Sequence, residues 1–416
     1  MPEKIEHLQS EKWWLRGIQN TLSFLKISYL DSAKKKCAVS GIKLYGINDL
    51  DALNLLPEVY ASEVNFYRPL LSKGISHYID NISAELKLLK IDNEIFPMLI
   101  TSGNYDNSYV CSPYANYYLI AIQNLQKIKS RFFKTIGTIG LSLYGNILKV
   151  GAINSVIYLN HSLLSTDLQN DDLSEEQIEQ IVSILKSKYP KHSIVFRSIN
   201  SQTCPELTRV LKTNGFNFIA SRYIYLTDTK NADLFQTRIL KSDLKLWKEK
   251  TYEVVEGKDF NAEDELRILD LYQMISLDHH SKLNPHLNLH YLQHLRQNSL
   301  LQFKGLRQNG KIEGFVGYYI KNKILHCSIL GYDRESPHKN HLYRLLSTML
   351  LLEATSNANT FHQSAGASFF KTTRRAKGFQ EYQAVYTKHL PWTQRCTWGL
   401  VKVLINTFAI PFMKKY

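Results

Sequence analysis

Hydrophobic and polar positions fall into two blocks that share one order of elements. In the later block, KIEGFVGYYIKNKILHCSILGYD gives two β-rich runs joined at Lys321-Asn322-Lys323. A polar loop (RESPHKN) follows, then the apolar helical run HLYRLLSTMLLLEA, a short TFHQSAG segment, a basic FFKTTRRAKGF segment and the strand-like EYQAVYTKHLP. Over Lys311 to Leu390 this predicts strand, strand, loop, helix, strand, helix, strand. In the earlier block, GLSLYGNILKVGAINSVIYLNHSLLST is expected to form strands, SEEQIEQIVSILKSKY a helix with an acidic first turn, and HSIVFRSIN a strand. PELTRVLKTNGF then predicts a helix closed at Gly215, and NFIASRYIYLTD a final strand. Strands alternating with helices imply βαβ units and a mixed or parallel sheet. The two halves repeat each other in pattern, not in residue identity.

The remaining segments are more helical. Trp14, Ile18, Leu22, Leu25 and Tyr29 recur at helical spacing in residues 1–35 and predict a core-packing helix. Residues 37–130 are expected to be mostly helical, with SEVNFYRPLLSKGISHYIDNISAELKLLKI giving one or two helices. FPMLIT is strand-like, and SPYANYYLIAIQNL opens as a helix with Ser112 as cap and Pro113 in its first position. Residues 231–310 form a helical entry to the second half, broken at Asn284-Pro285, and end in a hairpin with Asn309-Gly310 at its turn. In the tail, Trp398, Val401, Leu404, Ile405 and Phe408 share one face, with Lys402 and Asn406 on the other. Such a helix docks on the first domain or lies at a membrane interface, and is too short to span. The division expected is 1–95 helical, 96–230 first α/β domain, 231–390 second α/β domain and 391–416 tail.

A chain of 416 residues exceeds one compact core. Lys and Arg number 51 against 37 Asp and Glu, a net charge of +14 that suits an anionic partner: a nucleotide cofactor, an anionic lipid surface or RNA. Five scattered cysteines without a CxxC pair argue against a disulfide framework and against zinc. The N-terminus lacks the apolar region of a signal peptide. A cytoplasmic protein, peripheral at most to the inner face of the membrane, is expected.

The segment GFVGYYI…ILHCSILGYD…HLYRLLSTMLLLEA…FHQSAGASFFKTTRRAKGFQEYQAVYTKHLP resembles the acyl-CoA-binding half of the GNAT acyltransferase superfamily. NHSLLST, IVFRSIN and GFNFIASRYIYLTD resemble the first, usually non-catalytic copy of tandem-GNAT proteins, an arrangement shared with Fem-type aminoacyl transferases. The resemblance covers about residues 96–390. It implies two mixed-sheet α/β halves with a helical N-terminal extension and a helical tail. It also implies a strand, Leu325–Leu330, that runs beside acyl-CoA and splays from its neighbour. Ser328, Leu330, Arg334, Lys339, Leu342, Tyr343, Arg344 and Phe370 become the cofactor-binding candidates, with the pyrophosphate on the loop Gly331 to Asn340. The family's Q/R-x-x-G-x-G/A glycines are missing from RESPHKNHLYR, leaving Arg334, Lys339 and Arg344 to supply charge.

Amine acylation needs a base for the amine proton, a donor to polarise the acyl carbonyl, and an acid for the leaving group. Glu381 and His362 are the candidate bases and Tyr382 the candidate acid. Asp278, His279, Asn284 and Ser364 are candidate acceptor-binding residues. Lys371, Arg374, Arg375 and Lys377 make a basic helical face, solvated or in contact with phosphate. The function expected is acyl transfer from acyl-CoA, acetyl-CoA by default, to an amine, without a metal. The alternatives are Fem-like aminoacyl transfer from aminoacyl-tRNA, or a non-enzymatic module binding a membrane surface or RNA.

Overall fold

A computed structural model describes residues 41–415. The helix expected over residues 1–35 lies outside the described residues. Twelve strands form one continuous sheet in the order β1-β2-β3-β4-β5-β12-β6-β11-β10-β9-β8-β7. The first half supplies β1 (Ile42–Tyr45), β2 (Glu85–Ile91), β3 (Glu94–Thr101), β4 (Val156–Leu159), β5 (Ser193–Ile199) and β6 (Asn217–Asp228). The second supplies β7 (Glu253–Glu256), β8 (Gln302–Gln308), β9 (Lys311–Lys321), β10 (Ile324–Tyr332), β11 (Thr360–Ala365) and β12 (Lys377–Tyr386). In each half three antiparallel pairings precede one parallel pairing, β4 with β5 and β10 with β11. The last strand of each half then crosses over. β6 pairs with β11 of the second half, β12 with β5 of the first, and the two pair with each other. This is the mixed sheet of two α/β halves expected from the sequence, with the terminal strands exchanged at its centre.

The helices cover the sheet where their apolar stripes require. Ile178, Ile181 and Leu185 of α2 (Glu175–Lys188) and Leu207, Val210 and Leu211 of α3 (Pro205–Thr213) share one core with Leu89, Ile194 and Phe196. Ser174 opens α2 with a reciprocal capping box to Gln177. In the second half, Leu342, Leu345, Leu346 and Met349 of α5 (Lys339–Asn357) pack on Val316 and Leu325. Gly331 is set by packing, since a side chain there would meet the backbone of Leu271 at 2.6 Å, in α4 (Ala262–Tyr272). Asn309 and Gly310 both take positive φ, the turn that a two-residue hairpin needs.

Three expectations change. Residues 41–95 do not stay helical after Ala61–Lys73, because Asp92, with φ +47°, turns ELKLLKI back on EIFPMLIT as a hairpin. The stretch 140–150, expected as strand, belongs instead to the 20-residue helix α1 (Arg131–Val150), and strand begins only at Val156. The apolar residues of α1 at 132, 136, 139, 143, 147 and 150 step by three and four, a helical period that outweighs its β-branched content. The tail is not too short to span, because Trp392–Lys414 is one 23-residue helical run apolar enough, by length and composition, to cross a membrane.

Candidate active site

β10 and β11 pair only through Ile324–Thr360, Leu325–Phe361 and His326–His362, then part. Two local features open the gap. A register shift between Cys327 and Ile329 leaves Ser328 as a bulge in β10. Ser364, at φ +58°, kinks β11 where its pairing with β6 slips. The Ser328 hydroxyl is buried without a hydrogen-bond partner.

Lys371 lies beneath the parted end of β11. Its ammonium donates to the carbonyls of Gln363 and Ala365 at 2.7 Å each and reaches that of Ser364 at 3.4 Å. Burial, then the Arg222 charge, pushes its pKa down to about 7. Lys371 is therefore not part of a solvated basic face. Arg374 is not either: it donates to Asp243 at 2.7 Å and stacks 3.5 Å over the Phe370 ring.

His326 and His362 meet edge to face, with their Nδ1 atoms 3.1 Å apart. The Ser364 N–H donates to His362 Nδ1 at 3.1 Å, which fixes that nitrogen as an acceptor. His326 Nδ1 then carries the hydrogen, and its buried Nε2 is left unpartnered. Burial and Arg222 drive the His326 pKa down to about 3, and burial with the charges of Arg222 and Lys371 lowers that of His362. Both rings are neutral at pH 7. As a base, His362 is a poor fit, since its Nδ1 is engaged and its proton affinity is low.

Glu381 is fully buried and ion-paired with Arg222, 2.7 Å away, while one carboxylate oxygen remains unpartnered. Arg222 also donates to Thr166 at 2.7 Å and to Ser364 at 3.4 Å. Ser364, His362 and Glu381 thus stand together, joined by Arg222. Tyr382 does not join them. It packs on Phe218, its side chain on the opposite face of β12 from that of Glu381.

The other predicted residues scatter. Leu342 is core. Leu330 packs against that core, and Tyr343 stacks near Phe370 at 4.7 Å. Lys339 opens α5. Asp278 and His279 are exposed at the end of a π-helical turn, Gln273–His280. Burial, then the charges of His279, Arg334 and Lys371, lower the His280 pKa. Asn284 is spent on the carbonyls of Ser276 and Ser281. Sequence reasoning missed His326, Arg222 and the buried role of Lys371. The signal available for Lys371 was its place four residues after the small run SAGA and directly after Phe369 and Phe370.

The loop assigned to pyrophosphate is corrected by its hydrogen bonds. The Asp333 N–H donates to Glu313, that of Arg334 to the Met274 sulfur, and those of Glu335 and Ser336 to the Asp333 carboxylate. Pro337 has no N–H, and that of His338 donates to the Ser336 hydroxyl. No amide from 333 to 338 is left for phosphate. Arg344 is likewise held by Asp243 at 2.6 Å. The stretch 333–338 therefore offers a pyrophosphate no free amide.

The equivalent gap in the first half is filled. His161 and Arg197 both bond to Asp167, and the Arg197 guanidinium also donates to the carbonyls of Leu164 and Ser165. Burial works to raise the Asp167 pKa, yet His161 and Arg197 hold it well below the carboxylate range.

No family model and no curated protein matches the chain. Among solved structures, FemX is similar at 8% identity over 87% of this chain and 100% of that chain, with a TM-score of 0.48. L-PGS from Bacillus licheniformis is similar at 14% identity over 60% of this chain and 82% of that chain (TM-score 0.44). The C-terminal domain of a putative lysylphosphatidylglycerol synthetase from Agrobacterium fabrum is similar at 14% identity over 71% of this chain and 98% of that chain (TM-score 0.42).

Proposed function

We propose that the protein is a transferase that moves an acyl group within the gap between β10 and β11, and that its donor is an aminoacyl ester of tRNA. The observation that carries the reading is Lys371, a buried amine with a pKa near neutrality at the parted end of β11. When neutral, its two N–H groups satisfy the short bonds to Gln363 and Ala365, and its lone pair takes the remaining direction, where the Ser364 carbonyl stands back at 3.4 Å. Lys371 then accepts a proton from the attacking amine as the new bond to the acyl carbon forms. It returns that proton to the ester oxygen as the old bond breaks. The Ser328 hydroxyl is placed to hydrogen-bond the acyl carbonyl oxygen.

The spent amides of residues 333–338 favour a donor without a pyrophosphate at that loop, and the net charge of +14 suits RNA. Acyl-CoA is the second reading, favoured by the parting of β10 from β11 and the Ser328 bulge, where an extended pantetheine arm would lie beside β10. The test is single-turnover transfer from radiolabelled aminoacyl-tRNA, or from acetyl-CoA, to a panel of simple amines. Lys371→Met is expected to slow transfer by about 10²–10⁴-fold. Transfer at an unchanged rate in that variant would remove Lys371 from the chemistry.

A further inference from the structure

We infer that α1 and the C-terminal helix together form a docking surface for an anionic lipid bilayer. The observations are independent of the chemistry in the β10–β11 gap.

α1 turns its apolar stripe outward. Phe132, Ile136, Ile139, Leu143, Ile147 and Val150 are 67%, 53%, 60%, 63%, 46% and 80% exposed. Its inward face combines two glycines with Leu141, Tyr144 and Leu148. A side chain at Gly137 would meet Leu125 at 2.6 Å, and one at Gly145 would meet Tyr118 at 2.7 Å. A helix whose apolar residues all faced the protein would carry polar residues at these exposed positions. A stripe this continuous on a protein surface marks an interaction site.

The C-terminal helix abuts the end of α1. Gly151 leaves no room for a side chain against Thr397, and the Tyr117 ring stands edge-on to Trp398 at 6.5 Å. Trp398 and Val401 are buried, whereas Trp392, Val403, Phe408 and Phe412 are exposed. The apolar face expected to include Phe408 is thus divided, and Asn406 faces the protein. Its amide accepts from the Ala220 N–H and donates to the Phe218 carbonyl, both at 2.8 Å, which pins the helix along β6. Although long enough to cross a bilayer, it is held against the sheet with its outer apolar side free. A helix so held lies in an interface instead of spanning it.

Charge selects the partner. There is no Asp or Glu between Asp106 and Asp167, and none after Glu381, in a chain that holds 37. Lys127, Lys129, Arg131, Lys134 and Lys149 flank or lie on α1, and Arg395, Lys402 and Lys414 line the C-terminal helix. An apolar band edged by cations and lacking anions matches acyl chains beneath anionic headgroups.

The test is flotation of the full chain with vesicles of phosphatidylcholine alone or mixed with phosphatidylglycerol. Binding is expected to the mixed vesicles and to weaken with salt. The triple variant Phe132→Ser, Ile136→Ser, Leu143→Ser, all at exposed positions, should lower the bound fraction at least about tenfold. Its circular dichroism and melting curve should stay unchanged. Lys127→Ser with Lys129→Ser and Arg131→Ser should erase the preference for anionic vesicles. Three results would overturn the inference: no flotation with either vesicle, flotation unaffected by the triple variant, or a dimer in sedimentation that the triple variant dissociates.

Discussion

Ser198 and Ser364 occupy the same station in the two halves of the sheet. Each lies two residues beyond the last parallel pair, Leu159–Phe196 in one half and His326–His362 in the other, and their φ angles are +56° and +58°. A left-handed serine is uncommon, and finding it twice at one register position shows the internal repeat at the level of single residues. Counting along the facing strands, His161 stands where Ser328 stands. The first gap is plugged by imidazole and guanidinium, and the second holds a small hydroxyl without a partner.

The kink at Ser364 is predicted to hold strain. Ser364→Val should destabilise the fold by about 1–3 kcal/mol, because a β-branched residue resists positive φ, whereas Ser364→Gly should be near neutral. Denaturant midpoints of the two variants check this. Equal midpoints would mean that the kink relaxes without cost.

Lys371 should titrate near pH 7. Its folded pKa lies below its unfolded value of 10.5, so between about 7 and 10.5 the unfolded chain holds a proton that the folded protein has released. Stability from this residue therefore rises with pH across that window, and burying the charge costs most below it. Lysine-selective ¹³C NMR should show one ε-methylene resonance titrating near 7 and absent in Lys371→Met. If every lysine titrates near its ordinary value, the proton-transfer role fails.

Asp243 is fully buried and serves both Arg344 and Arg374. Removing it strands two guanidinium groups, so Asp243→Ala should cost roughly 3 kcal/mol in chemical denaturation. Arg344→Glu sets a second carboxylate beside Asp243. It should therefore lower the melting temperature before it affects any ligand. A fully stable Arg344→Glu protein with a specific binding defect would restore that arginine to a ligand site.

His161, His326 and His362 are all held below the ordinary histidine pKa, chiefly by burial. Below about pH 6.5 the unfolded chain takes up protons that the folded state refuses. Stability should thus fall as pH drops from about 6.5 towards 4. His326→Gln should flatten that slope in pH-dependent urea melts, and an unchanged slope would place the acid sensitivity elsewhere.

The strand–helix order of the second half was legible because its apolar runs have clear periods and its turns carry Asn-Gly and Lys-Asn-Lys. Residues 140–150 alone suit a strand, and only the longer window from Phe132 brings out the three- and four-residue steps of a helix. Hydrophobic period reports which side is oily, not which side is buried. Ser364, His362 and Glu381 could be placed from strand order, and they do meet. Arg222 could not be, because it joins the site through the crossing of β6 into the second half, a contact between residues 159 positions apart. The loop Gly331–Asn340 misled for a related reason. Its missing glycines were visible, but not that the Asp333 carboxylate and the Ser336 hydroxyl take up the amides of Glu335, Ser336 and His338.

The most direct test of the central claim is equilibrium binding of the full chain to acetyl-CoA and to an aminoacylated RNA minihelix, each across a salt series. The minihelix should bind with salt-dependent affinity, and acetyl-CoA no better than S-acetylpantetheine, because the amides of residues 333–338 are already engaged. Acetyl-CoA binding that depends on its pyrophosphate, with no affinity for the minihelix, would contradict that claim.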